Sequence, residues 1–144
     1  MSSNLAPGGY LEMQDLDMRH GCDDQSCTSK NAIAEWTTLI MDGLEKMGVE
    51  GRNATSQYKK LMEEAGFVDV VEVVYKWPSN PWPKDPELKE IGRWNMENLL
   101  QGAQAVTMAP LTRGLGWEPA EVEVFLVDVR KEIMNPKIHA YWPV

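Results

Sequence analysis

Gln14, Asp15 and Asp17 close a short apolar run, YLEMQDLD, and His20 comes three residues after the last of them. In open α/β sheets ligands gather beyond the carboxyl ends of strands. Carboxylates in that place are candidates for a general base, Asp15 or Asp17, with His20 as acid or base. The same residues also suit a polar loop whose side chains are solvated and cap the next helix, the role expected of Asp23 and Asp24. A second group is Asn95 and Asn98, which share a helix face with Leu88, Ile91 and Leu99. An amide on such a face needs a partner. It either lines a pocket, where it would hold a ligand carbonyl or hydroxyl, or bonds backbone or the other amide. Gln101 lies just off that face. The third group is aromatic. Trp36 falls on an apolar stripe and is expected in the core, whereas Trp77 and Trp82 flank a proline-rich turn and Trp94 lies on the helix after it. Those three could wall a pocket for a flat or polycyclic ligand. The nine methionines suit irregular apolar shapes.

Other chemistry is weakly signalled. A metal reading of HGCDDQSC would use His20, Cys22, Asp23 and Cys27, but zinc sites show paired short spacings and this is one irregular cluster. Reduced thiols in a polar loop are the simpler reading. Arg52, Arg93 and Arg113 suit either a ligand carboxylate or enolate, or salt bridges. His139 and Tyr141 are expected to pack. The sequence carries no Ser-His-Asp signature, Walker-type loop or metal-binding helix motif.

These groups must be held by regular elements. Pro7-Gly8-Gly9 is a turn, and Tyr10, Leu11, Met13 and Leu16 read as a short strand. Residues 18–28 are polar loop. Ile33, Trp36, Ile40, Leu44 and Met47 recur at spacings of three and four, which predicts a helix over 29–47 ended by Gly48. Asn53 or Thr55 caps a second helix with Tyr58, Leu61, Met62 and Ala65, closed by Gly66. Residues 67–77, FVDVVEVVYKW, read as a strand. The prolines of residues 78–86 exclude regular structure. Asp85 is the expected cap of the next helix, with Pro86 at its first position, and Pro110 is expected to kink or divide the helical stretch around it. Residues 118–133 satisfy both periods. Pro119 at one end and Arg130-Lys131 at the other favour helix. IHAYWPV reads as a strand beginning.

The 144 residues predict one domain, with a net charge of −8. An acidic surface repels phosphate backbones and acidic lipid, so neither nucleic acid nor membrane is an expected partner. No apolar run approaches the roughly 18 residues of a membrane span, and MSSNLAPGG lacks the regions of a signal peptide. A cytoplasmic protein is expected.

LAPGGYLEMQDLD, EEAGFVDVVEVVYKWPSNPWPKDPELKEIG, LTRGLGW, EVEVFLVDVRKEI and KIHAYWPV together resemble the C-terminal half of fungal LaeA-like and natural-product S-adenosylmethionine-dependent methyltransferases. PWPKDP and HAYWPV are the most specific parts. The resemblance implies a mostly helical α/β fold, the remnant of a Rossmann-like methyltransferase. It implies about three strands, the last lying between the other two, with five or six helices and a helical lid over the substrate. Such methyltransferases hold their cofactor with a Gly-rich loop after the first strand and an acidic residue ending the second. Both would lie upstream of Leu5. Gly8-Gly9 and Gly114-Leu115-Gly116 do not replace them, because neither pair comes after a strand and opens a helix.

Residues 1–144 are therefore expected to form a single truncated methyltransferase-like domain, the substrate-binding or lid half, with no cofactor and no metal of its own. A sheet with a bare edge is expected to pair, so a homodimer is expected, with or without exchanged elements. The reading preferred is a cofactor-independent isomerase or cyclase, pericyclic chemistry included, acting on a hydrophobic fungal secondary metabolite. Asp15, Asp17 or His20 would move the proton, and Asn95 and Asn98 would orient the substrate. The alternatives are a non-catalytic small-molecule-binding or scaffold protein, and the substrate half of a split methyltransferase.

Overall fold

The computed structural model describes residues 5–50 and 54–144. Helix α1 (Ala32–Lys46) buries Ile33, Trp36 and Ile40 of the predicted stripe, whereas Leu44 is half-buried and Met47, just past the helix end, is exposed. It ends as its glycine requires. Gly48 has φ +79° and donates to the Glu45 carbonyl, while the Val49 N–H reaches the Leu44 carbonyl, which together make a Schellman closure. Helix α2 (Ala54–Glu64) closes in the same way at Gly66, φ +92°. The Asn53 cap reading, like Arg52, lies outside the described residues.

Strand β1 (Lys76–Pro78) leads into a proline-rich loop and then helix α3 (Pro86–Ala109). Asp85 caps α3 as predicted, its carboxylate accepting from the Glu87 and Leu88 N–H groups at 3.0 Å each. Pro110 does divide the helical stretch. It opens a π turn, Pro110–Gly114, in which the Leu115 N–H reaches back five residues to the Pro110 carbonyl. Helix α4 (Pro119–Ile133) settles the ambiguous segment as helix, with Val122, Leu126, Val129 and Ile133 buried. Its Glu132 also finishes α1, because the carboxylate accepts from the Ile33 N–H at 3.0 Å and the Asn31 amide at 3.2 Å. These side chains, with Leu111, Ala103 and Trp142, form the core between α1, α3, α4 and the π turn.

The β part is smaller than expected. The described residues hold two named strands, not three, and four α-helices plus the π turn, not five or six. β2 (Tyr141–Pro143) pairs antiparallel with β1, Trp77 opposite Trp142. On its other side it bridges Gly21 through Tyr141, and the Asp17 N–H donates to the Pro143 carbonyl at 2.9 Å. The last strand therefore does lie between the two other segments, as the resemblance implies.

Two expectations are corrected. The strand read from Tyr10 to Leu16 is not formed, and the strand read over residues 67–77 shrinks to Lys76–Pro78. The physical reason is the ladder. A strand exists only where a neighbour takes its N–H and C=O groups, and β2 supplies three residues of neighbour. Outside that reach residues 10–16 and 70–74 run without bend or turn and without backbone hydrogen bonds to a neighbouring strand, and Val68, Val71, Val73 and Val74 stay exposed.

Candidate functional site

The two unpaired stretches face each other across a groove of about 630 Å³. One wall carries Glu12, Met13, Gln14, Asp15 and Asp17. The other carries residues 70–75 and Trp77. Helix α2 contributes Thr55, Tyr58 and Met62, and Pro143 and Val144 stop one end. Four predicted site residues therefore meet here: Gln14, Asp15, Asp17 and Trp77.

Asp15 accepts a 2.5 Å bond from the Tyr58 hydroxyl, which raises the phenol's pKa by stabilising its protonated form. Burial pushes the Asp17 carboxyl upward, but the Arg19 guanidinium, the Arg19 N–H and Thr55 outweigh it and leave its pKa below the usual value. The Arg19–Asp17 pair closes at 2.6 Å. Asp17 is thus held as a carboxylate already engaged. Tyr58 and Thr55 were not legible as site residues. Tyr58 reads in sequence as one more apolar position of α2.

The other predicted residues lie elsewhere. His20 is half-buried, its Nδ1 2.9 Å from the Thr37 hydroxyl on α1. Asn95 is buried and donates to the Pro78 carbonyl at 2.9 Å, which ties α3 to β1. Asn98 is exposed, so the two amides do not share an environment. Trp94 is 72% exposed, on the solvent side of α3. Trp82 donates to the Ala140 carbonyl at 3.1 Å and stacks on His139 with ring centroids 4.8 Å apart. Trp77, Trp82 and Trp94 therefore do not wall one pocket.

The HGCDDQSC loop is bound into the fold. Asp24 accepts from Ser26, from Cys22 at 3.3 Å and from the His139 ring at 2.5 Å, and these bonds, those of Ser26 foremost, hold its pKa down. Asp23 binds Lys76 at 2.6 Å and the Tyr141 hydroxyl at 2.8 Å, which also lowers its pKa. Cys27 is buried, and burial pushes its thiol up to about 11, which makes it a poor nucleophile. Among the described residues no group of three His, Cys, Asp or Glu side chains is placed to hold a metal ion.

His20 yields a pH prediction. Burial lowers its pKa in the fold, while the unfolded chain titrates near about 6.5. Between those values the unfolded state binds more protons, so stability rises with pH there. It should be fully present above about pH 6.5 and decline as pH falls through the lowered folded value. Urea midpoints between pH 7.5 and 5 should show a decline that His20→Gln reduces. An identical slope in the variant would remove His20 as its cause.

The glycines bear on S-adenosylmethionine. Gly8, φ +80°, sits in a turn with open space around it and no helix after it. A Cβ on Gly114 would lie 2.3 Å from the Gly43 carbonyl oxygen, so that glycine serves packing against α1. Neither pair makes a nucleoside cradle.

Four helices packed on a short antiparallel strand pair make a mostly helical α/β arrangement consistent with a reduced Rossmann-like remnant, and it is the comparison with known proteins that supplies the family. The chain is homologous, over nearly its whole length, to the fungal LaeA-like methyltransferases. It is 41% identical over 142 residues to the probable methyltransferase tdiE of Emericella nidulans, covering 99% of this chain and 44% of that protein. It is 37% identical to a secondary metabolism regulator of Cochliobolus heterostrophus, covering 96% of this chain and 46% of the relative. It is 36% identical to the methyltransferase pytC of Aspergillus terreus, covering 96% and 42%. The chain therefore spans about half the length of the curated relatives it matches. No family model matches it, and no solved structure does. Among the described residues no helix is long and apolar enough to cross a membrane.

Proposed function

We propose that this chain is the substrate-side part of a Rossmann-like methyltransferase fold, and that it holds a hydrophobic fungal metabolite once further polypeptide completes it. The observation that carries this reading is the unfinished sheet. Two straight backbone stretches lie open on either side of a groove, with Val68, Val71, Val73 and Val74 exposed beside them. Apolar surface of that kind marks a contact surface rather than a finished exterior. The relatives, about twice as long, support the reading that the missing contact is a cofactor-bearing half. Residues 1–144 would then act as one substrate-binding or lid unit.

The test is complementation. This chain is co-expressed with the part of the Emericella nidulans relative that it does not match. The two should co-purify, and S-adenosylmethionine should bind the pair and not this chain alone. Separate elution, with no binding by the mixture, would sink the proposal.

A second reading is a cofactor-independent isomerase or cyclase. The Asp15–Tyr58 contact beside Asp17 favours it, since it sets a carboxylate and a phenol on one groove wall. A positioned acid or base adds typically 10²–10⁴-fold. A product of unchanged mass, formed without cofactor, would distinguish it. A homodimer is the version in which the completing polypeptide is a second copy.

A further inference from the structure

Helix α4 carries two apolar stripes, and the fold uses one. Val122, Leu126, Val129 and Ile133 are buried in the core. On the opposite side Ala120, Val124, Val127, Lys131 and Met134 follow one another at steps of four, three, four and three. All five are exposed. Val124 is 72% exposed, Met134 at the C-cap 52% and Val127 48%. The two stripes together give residues 118–133 their alternating, strand-like period. A helix with one apolar stripe needs one neighbour, whereas a helix apolar on opposite sides suits a place between two layers. None of the five outer residues lines the groove, so this surface is separate from the one the completion reading uses.

Steps of four and three are the seam of a coiled coil, in which a second helix packs its side chains between those of the first. Residues beside the seam choose the partner. One flank of α4 carries Glu121 and Asp128. A second copy of α4 laid antiparallel would set Glu121 of each copy against Asp128 of the other. Laid parallel, Glu123 of each copy would meet Asp128 of the other. Acid opposes acid either way, and a net charge of −8 on each chain adds to the repulsion. The other flank offers little in return, because Glu123 and Arg130 already pair at 4.0 Å on the same helix and Glu123 also accepts from Gln104 on α3. A foreign helix with Lys or Arg along its edges meets no such repulsion and complements Glu121 and Asp128. Lys131 is the one charge within the seam and is held by Asp128 at 2.8 Å. A polar seam residue of this kind fixes register.

We propose that the outer face of α4, residues 120–134, docks one amphipathic helix from another polypeptide, apolar along its seam and basic along its edges. The proposal goes beyond the completion reading and does not depend on it.

The probe is a dye-labelled synthetic helix, three heptads of Lys-Ile-Ala-Ala-Leu-Lys-Glu, titrated with the full chain and read by fluorescence anisotropy. Binding should saturate, and amide shifts followed by NMR should map to residues 120–134 and not to the groove. Val127→Asp should weaken binding at least about tenfold. That variant makes the chain more acidic, so charge attraction alone would hold the peptide as well or better. Circular dichroism checks that it folds, and the shift map decides the matter if it does not. A peptide with glutamate for each lysine should bind at least about tenfold more weakly. No saturable binding, equal binding by Val127→Asp or by the acidic peptide, or shifts confined to the groove would each overturn the proposal. Self-association of the chain that Val127→Asp abolishes would assign the stripe to a second copy, and would overturn it too.

Discussion

Trp36→Ala should destabilise the fold by about 3–5 kcal/mol, the range for removing a large buried aromatic side chain. Trp36 is 3% exposed, on the inner face of α1. Its ring meets Trp142 edge to face at 6.3 Å, so it joins the helical layer to the central strand. Its Nε1–H donates to the Thr107 hydroxyl on α3 at 2.6 Å, and that hydroxyl donates onward to the Ala103 carbonyl at 2.5 Å. Alanine would leave a cavity where three elements meet. Phenylalanine keeps most of the ring packing and loses the N–H, so Trp36→Phe should cost only about 1–2 kcal/mol. Urea denaturation of both variants checks the order. Equal losses would mean that the hydrogen bond, and not the packing, holds this junction.

Gly43→Ala should cost about 2–3 kcal/mol, near the upper end for overpacking. A Cβ there would lie 2.3 Å from the Pro110 carbonyl oxygen, and backbone cannot move aside as a side chain can. Gly114 faces the same contact from the other side. Two glycines thus let the π turn lie directly on α1. Gly102 provides the control within α3. A Cβ there meets nothing within 4 Å, so Gly102→Ala should stabilise by about 0.5–1 kcal/mol through helix propensity alone. Thermal unfolding of the two variants should give shifts of opposite sign. A neutral Gly43→Ala would mean that the π turn stands off α1.

What was legible in the sequence is what is local. The stripe of α1, the glycine closures, the Asp85-Pro86 start of α3 and the break at Pro110 each depend on residues a few positions apart, and each is found. Long-range satisfaction was not legible. Nothing near α1 in sequence announces that Glu132 caps it, that Asn95 answers the Pro78 carbonyl, or that His139 pairs with Asp24. The strands failed for the same reason in reverse. Valine-rich composition lets residues 70–75 run without bend or turn, but a strand also needs a neighbour, and sequence spacing carries no information about one. Of the candidate site, Gln14, Asp15 and Asp17 lie together along one groove. The tryptophans do not lie together, because Trp77, Trp82 and Trp94 flank one loop in sequence yet diverge around β1 and α3.

The proposed function requires that this chain by itself offers a substrate-side surface and no seat for adenosine. Calorimetric titration of S-adenosylmethionine into the purified chain tests it most directly. The account predicts no saturable heat. Stoichiometric binding with a micromolar Kd, about −8 kcal/mol, would contradict it.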